Sequence, residues 1–317
     1  MEINVLTPFH RGGPYKWGQD LADLLNRKGV TAKHMHEYYE LFSTPFYQKA
    51  DIVHTAVPLA YRLWQKPVVL TIHGEYTIEK MIWRLPYHLA IKKADIITTP
   101  SRFLKERLGL DEAEVIPNSV FIEKYKPVTH SHKKTLNLIT ISNFAFKDKA
   151  NGILGILKIL NEVSARIDEK IDYTIVGGGS YLDQIKNESK KYSNFKITFT
   201  GFQNNPEVLL EKKDVFLYYS VHDNFPISIL EAMASGLPVV GNNVGALHEM
   251  IKTGVNGFVA ENSMDYRDYL ISLITEHRNR AKVGLEARRT VEERFDWSCT
   301  IERYISLYND LISRNGA

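Results

Sequence analysis

The feature that most restricts the fold is the alternation of short apolar segments with helical segments along the whole chain. Apolar runs of strand length recur, and amphipathic helical patterns lie between them. Such alternation predicts an α/β protein with parallel sheets, because parallel neighbours need a crossover connection. The predicted strands are residues 3–7, 51–55, 67–73, 95–99 and 114–117, followed by 136–142, 171–176, 195–200, 215–219, 238–241 and 257–260.

One polar stretch interrupts this alternation. Residues 117–135 contain Pro127 and show neither the helical nor the strand period, so we interpret them as a linker. The prediction is therefore two Rossmann-like domains, at residues 1–127 and 134–299. After about residue 265 the chain is helical, with aromatic residues at helical spacing, which by periodicity alone indicates core packing.

Composition places the chain among ordinary globular proteins. It has 317 residues, 44% of them hydrophobic and 24% charged, which is enough for two cores. The single cysteine, Cys299, excludes an internal disulfide and favours a reducing, cytoplasmic compartment. The sequence has no signal-peptide pattern and no apolar run of about 18 residues, so we expect neither secretion by that route nor a membrane span.

The charge balance argues against nucleic acid as a partner. The formal net charge is +3, and the excess of Lys and Arg lies in the first half of the chain. This excess is too small to indicate nucleic-acid binding, but it leaves a basic patch against anionic lipid open. Residues 78–93 combine aromatic and basic side chains, as in a core helix with a solvated face or a helix that borders an acceptor or lipid surface.

A loop that leads into a short helix carries the most informative residues. Pro226 suits a first helical turn, and the pattern predicts a helix at about 226–235. Glu231 falls on the apolar face of this helix, whose other members are Ile227, Leu230 and Ala234. A buried carboxylate costs several kcal/mol unless it is paired, so Glu231 needs either a structural hydrogen bond or a ligand hydroxyl.

Asp223, in the loop before this helix, favours the ligand. It lies just ahead of the helix N-terminus, whose unpaired N–H groups and positive dipole attract an anion such as phosphate. Two acids beside an anion site suit a ligand that has both hydroxyls and phosphates.

Three further features are candidate ligand contacts. Gly12 and Gly13 follow the first strand and precede a helix, where glycine permits close approach to a ligand or forms a plain turn. The run Gly177–Gly179 lacks the last glycine of a dinucleotide fingerprint, because Leu182 stands there, which disfavours a dehydrogenase. His73 ends a strand whose carboxyl end should open onto a ligand site, although a lone histidine is often structural.

The run at 231–238, EAMASGLP, resembles the donor-sugar motif of family 4 glycosyltransferases, which are retaining enzymes with the GT-B fold. In that family another acid, usually Glu, lies eight positions before the acid of this run. In this chain the acid of the run is Glu231 and the earlier position is Asp223. A Pro-Asn turn at 117–118 and a Phe-x-Trp ending at 295–297 also follow the order of the family's motifs. The resemblance implies two Rossmann-like domains facing a cleft, with a C-terminal helix at about 300–317 that crosses back to the first domain.

The resemblance also implies roles for individual residues. Glu231 should hold the nucleotide ribose, Asp223 the donor-sugar hydroxyls, and His73 should lie near the donor sugar. The remaining implied donor contacts are Gly12, Gly13, Gly177, Gly179, Gly201, Phe202, Asn224, Phe225 and Pro226.

The implied phosphate clamp departs from the family pattern. A fixed cation beside the leaving diphosphate lowers the barrier, and the family usually supplies an Arg and a Lys. Here Asn143 stands at the Arg position, and either Lys147 or Lys149 takes the place of the Lys. This implies weaker phosphate binding or a substitute cation such as Arg11.

Together these implications predict a hexosyltransferase-type enzyme. It would move a sugar from a nucleotide-diphosphate sugar, its substrate and not a cofactor, to a hydroxyl of a glycan, lipid-linked or small-molecule acceptor. A non-catalytic nucleotide-sugar binding protein and a nucleotide-sugar epimerase on the same fold are the alternatives. The sequence has no Asp-x-Asp pair and no Cys/His cluster, so no metal is expected. We expect a cytoplasmic location and leave peripheral contact with the inner face of the membrane open.

Overall fold

Two six-stranded parallel sheets form the framework of the protein, one in each of two units. In this computed structural model the described residues are 1–8, 12–36, 50–58, 67–78 and 81–315. The first unit contains Met1–Ser119 together with the C-terminal segment from Trp297, and the second contains Val120–Asp296. The α/β class with parallel sheets, predicted from the alternation of strands and helices, is confirmed.

The first unit has its strands in the order β2-β1-β3-β4-β5-β6, all parallel. The alternating apolar runs predict five of these strands to within about two residues at each end. Its described elements are β1 Glu2–Leu6, α1 Gly13–Arg27, β2 Thr31–Met35, β3 Ile52–Thr55, β4 Val68–Thr71, α2 Met81–Lys93, β5 Ile96–Thr99, α3 Arg102–Arg107 and β6 Glu114–Val115.

The sequence analysis missed β2. This strand lies at the edge of the sheet and pairs only with β1 among the described strands. Of its five residues only Met35 is buried, so the apolar signal of a strand is weak. An edge strand with one buried side chain is held by its backbone hydrogen bonds, which the side-chain pattern does not report.

The second unit has the strand order β12-β11-β10-β7-β8-β9, again all parallel. All six strands match the predicted segments to within a residue or two. The elements are β7 Thr135–Ile141, α4 Lys147–Ser164, β8 Lys170–Val176, α5 Leu182–Ser189, β9 Lys196–Gly201, α6 Pro206–Leu210, β10 Val215–Tyr218, α7 Ile227–Ala234, β11 Val239–Asn242, α8 Leu247–Met250, β12 Phe258–Ala260, α9 Ser263–Thr275 and α10 His277–Arg294.

Residues 120–134, which the sequence analysis treats as a linker, join the second unit at their N-terminal part. Val120 forms an isolated parallel bridge with Asp296. The Asp296 carboxylate also accepts a hydrogen bond from the backbone N–H of Ile122 at 2.9 Å. These bonds attach the start of the segment to the end of the second unit.

The strand order of each sheet reverses direction at one place. In the second unit the chain runs outward from β7 through β8 to β9, then returns to place β10 on the other side of β7. In open parallel sheets, ligands bind at such a switch point, outside the carboxyl ends of the two central strands. A ligand site is therefore expected at the segments that follow β7 and β10.

The core of the second unit lies where α4, α5 and α9 pack on the sheet. Except for the edge strand β9, its strands are buried on both faces, which is why they read as continuous apolar runs rather than alternating patterns. The fully buried members of this core include Leu136, Leu138, Ile153, Ile156, Leu157, Leu160, Tyr173, Ile175, Val215, Leu217, Tyr266 and Leu270.

The C-terminal helix, α11 Trp297–Asn315, belongs to the first unit. It buries Ile301, Tyr304, Leu307, Tyr308 and Leu311, which recur at helical spacing. It packs on α1, where the indole N–H of Trp17 donates to the Tyr304 hydroxyl at 3.3 Å. The helix that was expected to cross back to the first domain therefore does so.

A buried histidine connects this helix to the sheet of the first unit. His54, on β3, is fully buried. Its Nδ1 lies 2.5 Å from the Tyr308 hydroxyl and its Nε2 lies 2.6 Å from the hydroxyl of Thr71. Burial, together with the neighbouring His73, lowers the pKa of His54 to about 3, and burial lowers the pKa of His73 to about 4. Both rings are thus neutral at pH 7 in the folded protein.

Two neutral buried histidines make the first unit sensitive to acid. The unfolded chain binds protons at these residues below pH 6.5, whereas the folded chain does not, so stability is lost as pH falls from 6.5 towards 4. We expect each histidine to contribute a slope of about 1.4 kcal/mol per pH unit in that window. The measurement is the melting temperature and urea midpoint between pH 7.5 and 4.5.

Two variants test whether the loss of stability at acid pH comes from His54. His54→Gln should flatten the acid slope, whatever its effect on stability at pH 7, while His132→Gln, which replaces an exposed histidine, should leave the slope unchanged. Equal slopes in the wild type and His54→Gln would contradict the assignment.

Candidate functional site

The switch point of the second sheet brings three charged or polar side chains together. Lys149 lies in the first turn of α4, which follows β7. Tyr218 is the last residue of β10, and Asp223 lies in the loop that leads from β10 to α7. The Lys149 ammonium donates to Asp223 Oδ2, forming a salt bridge, and also donates to the Tyr218 hydroxyl at 2.5 Å. The Tyr218 hydroxyl donates in turn to Asp223 Oδ2.

These three side chains are largely withdrawn from water. The side chains of Lys149 and Asp223 are 18% and 16% exposed, and Tyr218 is fully buried. Burial lowers the pKa of Lys149 from 10.5 to about 7, while the carboxylate of Asp148 acts in the opposite direction. Burial raises the pKa of Tyr218 above its ordinary value, so the phenol carries its proton at neutral pH. A cation with a pKa near neutral responds strongly to a nearby anion.

Gly152 explains how α4 comes this close to β10. A Cβ atom at position 152 would lie 1.8 Å from the backbone oxygen of Tyr219, which no real side chain could tolerate. The absence of a side chain thus lets the helix pack directly on the end of the strand. Lys149, three residues before this contact, reaches Tyr218 as a result.

The two lysines of the predicted phosphate clamp are not equivalent. Lys149 faces Tyr218 and Asp223, whereas Lys147 is exposed. Asn143, at the position where the family usually has Arg, is also exposed, and its Oδ1 accepts from the backbone N–H of Ala145 at 3.0 Å. The amide therefore shapes the loop after β7.

The glycine-rich loop after β8 packs against that same loop. A Cβ at Gly177 would lie 1.9 Å from the oxygen of Ser142, and one at Gly179 would lie 2.1 Å from the nitrogen of Ala145. The N–H of Gly177 donates to the oxygen of Gly201 at 2.9 Å. Gly177, Gly179 and Gly201 are thus brought together at the carboxyl edge of the sheet, and Phe202 next to them is 60% exposed.

The loop that carries Asp223 is held by its own backbone and by Gly245. Asp223 Oδ1 accepts from the N–H of Asn224 at 2.7 Å, and the oxygen of Asn224 accepts from Ala246 at 2.9 Å. A Cβ at Gly245 would lie 2.2 Å from the oxygen of Asp223. Asn224 Oδ1 is buried, and it has no hydrogen-bond partner within the described part of the chain.

The residues that follow are structural. The Phe225 side chain is buried and its ring meets Phe295 edge to face, with 6.0 Å between centroids. Pro226 precedes the first residue of α7 and is buried.

Glu231 is buried on α7 with 6% of its surface exposed. The Tyr125 hydroxyl donates to Glu231 Oε1 at 3.2 Å. Arg288 donates to the backbone oxygens of Tyr125, at 2.7 Å, and Ala234, at 2.6 Å, and so ties the segment before β7 to the end of α7.

The predicted single apolar face of α7 is wrong. All residues from Ile229 to Ala234 are buried, and the helix is enclosed on every side, while Ile227, which we placed on the buried face, is only partly buried. A short helix between a sheet and α10 has no solvent face, so its periodicity does not reveal which residue points to a ligand.

In the first unit, Gly12 and Gly13 begin α1 directly after the loop that follows β1. Residues 9–11, and with them Arg11, lie outside the described residues. His73 follows β4, and its ring meets the indole of Trp17 edge to face, with 4.7 Å between centroids. Its Nε2 is buried without a hydrogen-bond partner among the described residues. An unpartnered buried nitrogen costs free energy unless a further group binds it.

Sequence reasoning missed three residues that support the site: Tyr218, Tyr125 and Gly152. Tyr218 stands at the end of an apolar run and has the pattern of a core aromatic. Tyr125 lies in the polar segment 117–135, which the sequence pattern marks only as a linker. Gly152 lies inside a helical pattern, where a glycine costs stability, and that cost is the one signal that could have identified it.

The described residues contain no group of three or more His, Cys, Asp or Glu side chains that could hold a metal ion. None of the described helices combines the length and apolar character that a membrane span requires.

Two family models match the chain, one in each half. "Glycosyl transferases group 1" matches residues 122–290, and "Glycosyltransferase Family 4" matches residues 6–124. The chain therefore belongs to the glycosyltransferase group 1 family, and the family predicted from the sequence motifs is confirmed.

Relatives of known name are distant. N-acetyl-alpha-D-glucosaminyl L-malate synthase of Bacillus anthracis is 28% identical over 238 residues, which are 72% of this chain and 58% of that protein. UDP-Gal:alpha-D-GlcNAc-diphosphoundecaprenol alpha-1,3-galactosyltransferase of Escherichia coli is 25% identical over 311 residues, 88% of this chain and 80% of that protein. The chain spans 58% of the first relative's length and 63% of that of an uncharacterized glycosyltransferase from Methanocaldococcus jannaschii.

Solved structures share the fold. Sucrose-phosphate synthase from Thermosynechococcus elongatus has a TM-score of 0.82 at 14% identity, covering 99% of this chain and 100% of that one. Anabaena HepE, solved in complex with UDP and glucose, has a TM-score of 0.79 at 17% identity, covering 98% and 100%. These likenesses confirm the GT-B fold.

The close approach of Gly152 to Tyr219 predicts that a methyl group added at position 152 lowers stability. Gly152→Ala should destabilise the second unit by about 1–3 kcal/mol, because the helix must move away from Tyr219. Gly155→Ala is the matched control on the same helix, since its Cβ would lie 3.8 Å from the Tyr219 ring, an ordinary contact. The control should gain up to about 1 kcal/mol from helix propensity. Urea unfolding measures both, and a Gly152→Ala protein as stable as the control would disprove the close packing.

Proposed function

We propose that the protein transfers a sugar, with retention of configuration, from a nucleotide-diphosphate sugar to the hydroxyl of an acceptor. The observation that carries the proposal is the buried pair of Lys149 and Asp223 at the switch point of the second sheet, in a chain of the glycosyltransferase group 1 family. In such a pair the cation can bind the phosphates of a ligand, and the carboxylate can accept hydrogen bonds from its hydroxyls.

Lys149 is proposed to hold the diphosphate. An ammonium has three N–H donors, and its described bonds, to Asp223 and Tyr218, use two of them. A phosphate at the third would raise the pKa of Lys149 above 7 and keep the side chain charged. The fixed charge then stabilises the leaving nucleoside diphosphate in a site with little water.

Asp223 and Glu231 are proposed to bind hydroxyls. Asp223 would accept hydrogen bonds from the donor sugar, together with the Oδ1 of Asn224, which has no hydrogen-bond partner among the described residues. Glu231, whose carboxylate accepts from the Tyr125 hydroxyl, would also accept from the ribose. The contact of His73 with the donor sugar stays a prediction of the resemblance.

The proton of the acceptor hydroxyl needs a base once the sugar begins to move. The leaving phosphate, held by Lys149, would take that proton, so the proposal assigns no separate protein base. The bond between the anomeric carbon and the phosphate oxygen breaks as the bond to the acceptor oxygen forms. The products are the glycosylated acceptor and a protonated nucleoside diphosphate.

The relatives suggest where to begin with substrates. HepE was solved with UDP, and the Escherichia coli relative is named for UDP-galactose and a lipid-linked acceptor. We propose a UDP-sugar donor as the first candidate, and a cytoplasmic site of action on a glycan, lipid-linked or small-molecule acceptor.

The first experiment is thermal stabilisation by UDP-, GDP- and ADP-sugars, with and without EDTA. A ligand at about 100 times its Kd stabilises the folded state by roughly 2.7 kcal/mol. We expect a selective shift with one nucleotide that EDTA leaves unchanged. The selected donor is then incubated with and without acceptors: transfer that depends on the acceptor supports the proposal, binding without turnover supports a binding protein, and a released 2-epimer supports an epimerase.

Glu231→Gln tests the ribose contact. The glutamine keeps an oxygen that can accept from Tyr125, so the melting temperature should remain within a few degrees of the wild type. Binding of the selected nucleotide should weaken by about 10-fold or more, because a hydrogen bond to a charged group is lost. Calorimetric titration measures the affinity, and unchanged affinity would remove Glu231 from the site.

We also propose that the first unit touches anionic membrane lipid through α2. Ile78, just before this helix, and Leu85, on it, are 58% and 63% exposed, and Lys92 lies exposed in its last turn. Exposed apolar and basic side chains together suit a lipid interface.

Cosedimentation with phosphatidylglycerol vesicles tests this contact. Leu85→Ser should lower the bound fraction several-fold, because an apolar side chain no longer enters the interface. Leu285→Ser is the matched control, since Leu285 is 67% exposed on α10 of the second unit. Equal binding by both variants, or no binding by the wild type, would end the proposal.

A further inference from the structure

We propose that Tyr218 is a positioning residue of the donor site, which holds Lys149 and Asp223 in the arrangement that receives the diphosphate and the sugar. This inference rests on the proposed function and goes beyond it, because neither the motifs nor the family resemblance assigns Tyr218 a role. Its basis is the contact of one phenol hydroxyl with both charged groups at once.

The three groups differ in how rigidly the fold holds them. Lys149 has a long side chain with much rotamer freedom, and Asp223 lies in a loop, so neither fixes the other. Tyr218, in contrast, stands on β10, which pairs with β7 on one side and β11 on the other. Its backbone oxygen also lies 3.4 Å from the hydroxyl of Tyr266. The phenol is thus the member of the three that the sheet itself holds in place.

The direction of the hydrogen bonds follows from the chemistry of each group. An ammonium can only donate and an ionised carboxylate can only accept, whereas a phenol can do both. The Tyr218 hydroxyl therefore accepts from Lys149 and donates to Asp223, and its proton points at the carboxylate. Because the phenol stays protonated at neutral pH, this polarity does not change over the working range.

The hydroxyl can be removed without removing the ring. Phenylalanine at position 218 would keep the buried ring and would remove the hydroxyl alone. Tyr218→Phe is therefore a specific probe of the bridging role.

The test is a double-mutant cycle between Tyr218→Phe and Lys149→Met, with UDP, GDP and ADP as the calorimetric probes and turnover of the selected nucleotide sugar as the second readout. Tyr218→Phe should weaken binding of the nucleotide by about tenfold or more. It should lower kcat and raise the KM for the donor, while the KM for the acceptor stays unchanged. In the Lys149→Met background the same substitution should have an effect below about twofold, because there is no longer an ammonium to position.

Tyr219→Phe is the matched control. Tyr219 is the next residue along the chain, is partly buried, and packs against the core of the second unit. Its loss of a hydroxyl should leave nucleotide affinity and kcat unchanged. If Lys149→Met unfolds the protein, a second double-mutant cycle is measured between Tyr218→Phe and Asp223→Asn, and the same coupling is expected.

The outcomes separate the two proposals. If the wild type binds a nucleotide but the effects of the two substitutions are fully additive, the positioning role is overturned and the proposed function stands. The same holds if Tyr218→Phe leaves the nucleotide affinity unchanged. A wild type that binds none of UDP, GDP and ADP overturns the positioning role together with its premise. Strong coupling in the cycle, with the acceptor KM unchanged, establishes the role.

Discussion

The ion pair between Lys149 and Asp223 is the interaction on which the candidate site depends. Both charges are mostly withdrawn from water, and the desolvation of each is offset by the other, by the Tyr218 hydroxyl and, for Asp223, by the backbone N–H of Asn224. Removal of one partner would leave the other charge without its counter-charge. The pair also joins two segments that are distant in sequence, the start of α4 and the loop after β10, at one end of one sheet.

Around this pair the protein uses backbone contacts rather than long side chains to set distances. Gly152 lets α4 rest on the end of β10, and Gly245 lets a neighbouring loop rest on the backbone of Asp223. Arg288 donates to the backbone oxygen of Ala234, at the end of α7, and to that of Tyr125, and this keeps Tyr125 within hydrogen-bond distance of Glu231. The charged residues therefore sit on a support made largely of backbone contacts.

The acidic residues and the strands were predictable because their signals are local. Glu231 interrupts an apolar helix, and Asp223 precedes a helix N-terminus; either feature can be seen in a few residues of sequence. The choice between Lys147 and Lys149 was not predictable, because it depends on which side of α4 meets β10. The burial of α7 on all sides was also missed, since two faces are covered by segments far away in the chain.

Local patterns were sufficient for the class of fold, for eleven of the twelve described strands and for the family, because periodicity, turn residues and a short motif are all properties of neighbours in sequence. The partners of each charge were decided only when the sheet formed. Lys149 and Asp223 are far apart in the chain, and Tyr218 resembles any core aromatic until the strand order places it between them. Side chains that meet through a crossover connection leave no mark on local sequence, and for that reason the geometry of the site belongs to the tertiary structure alone.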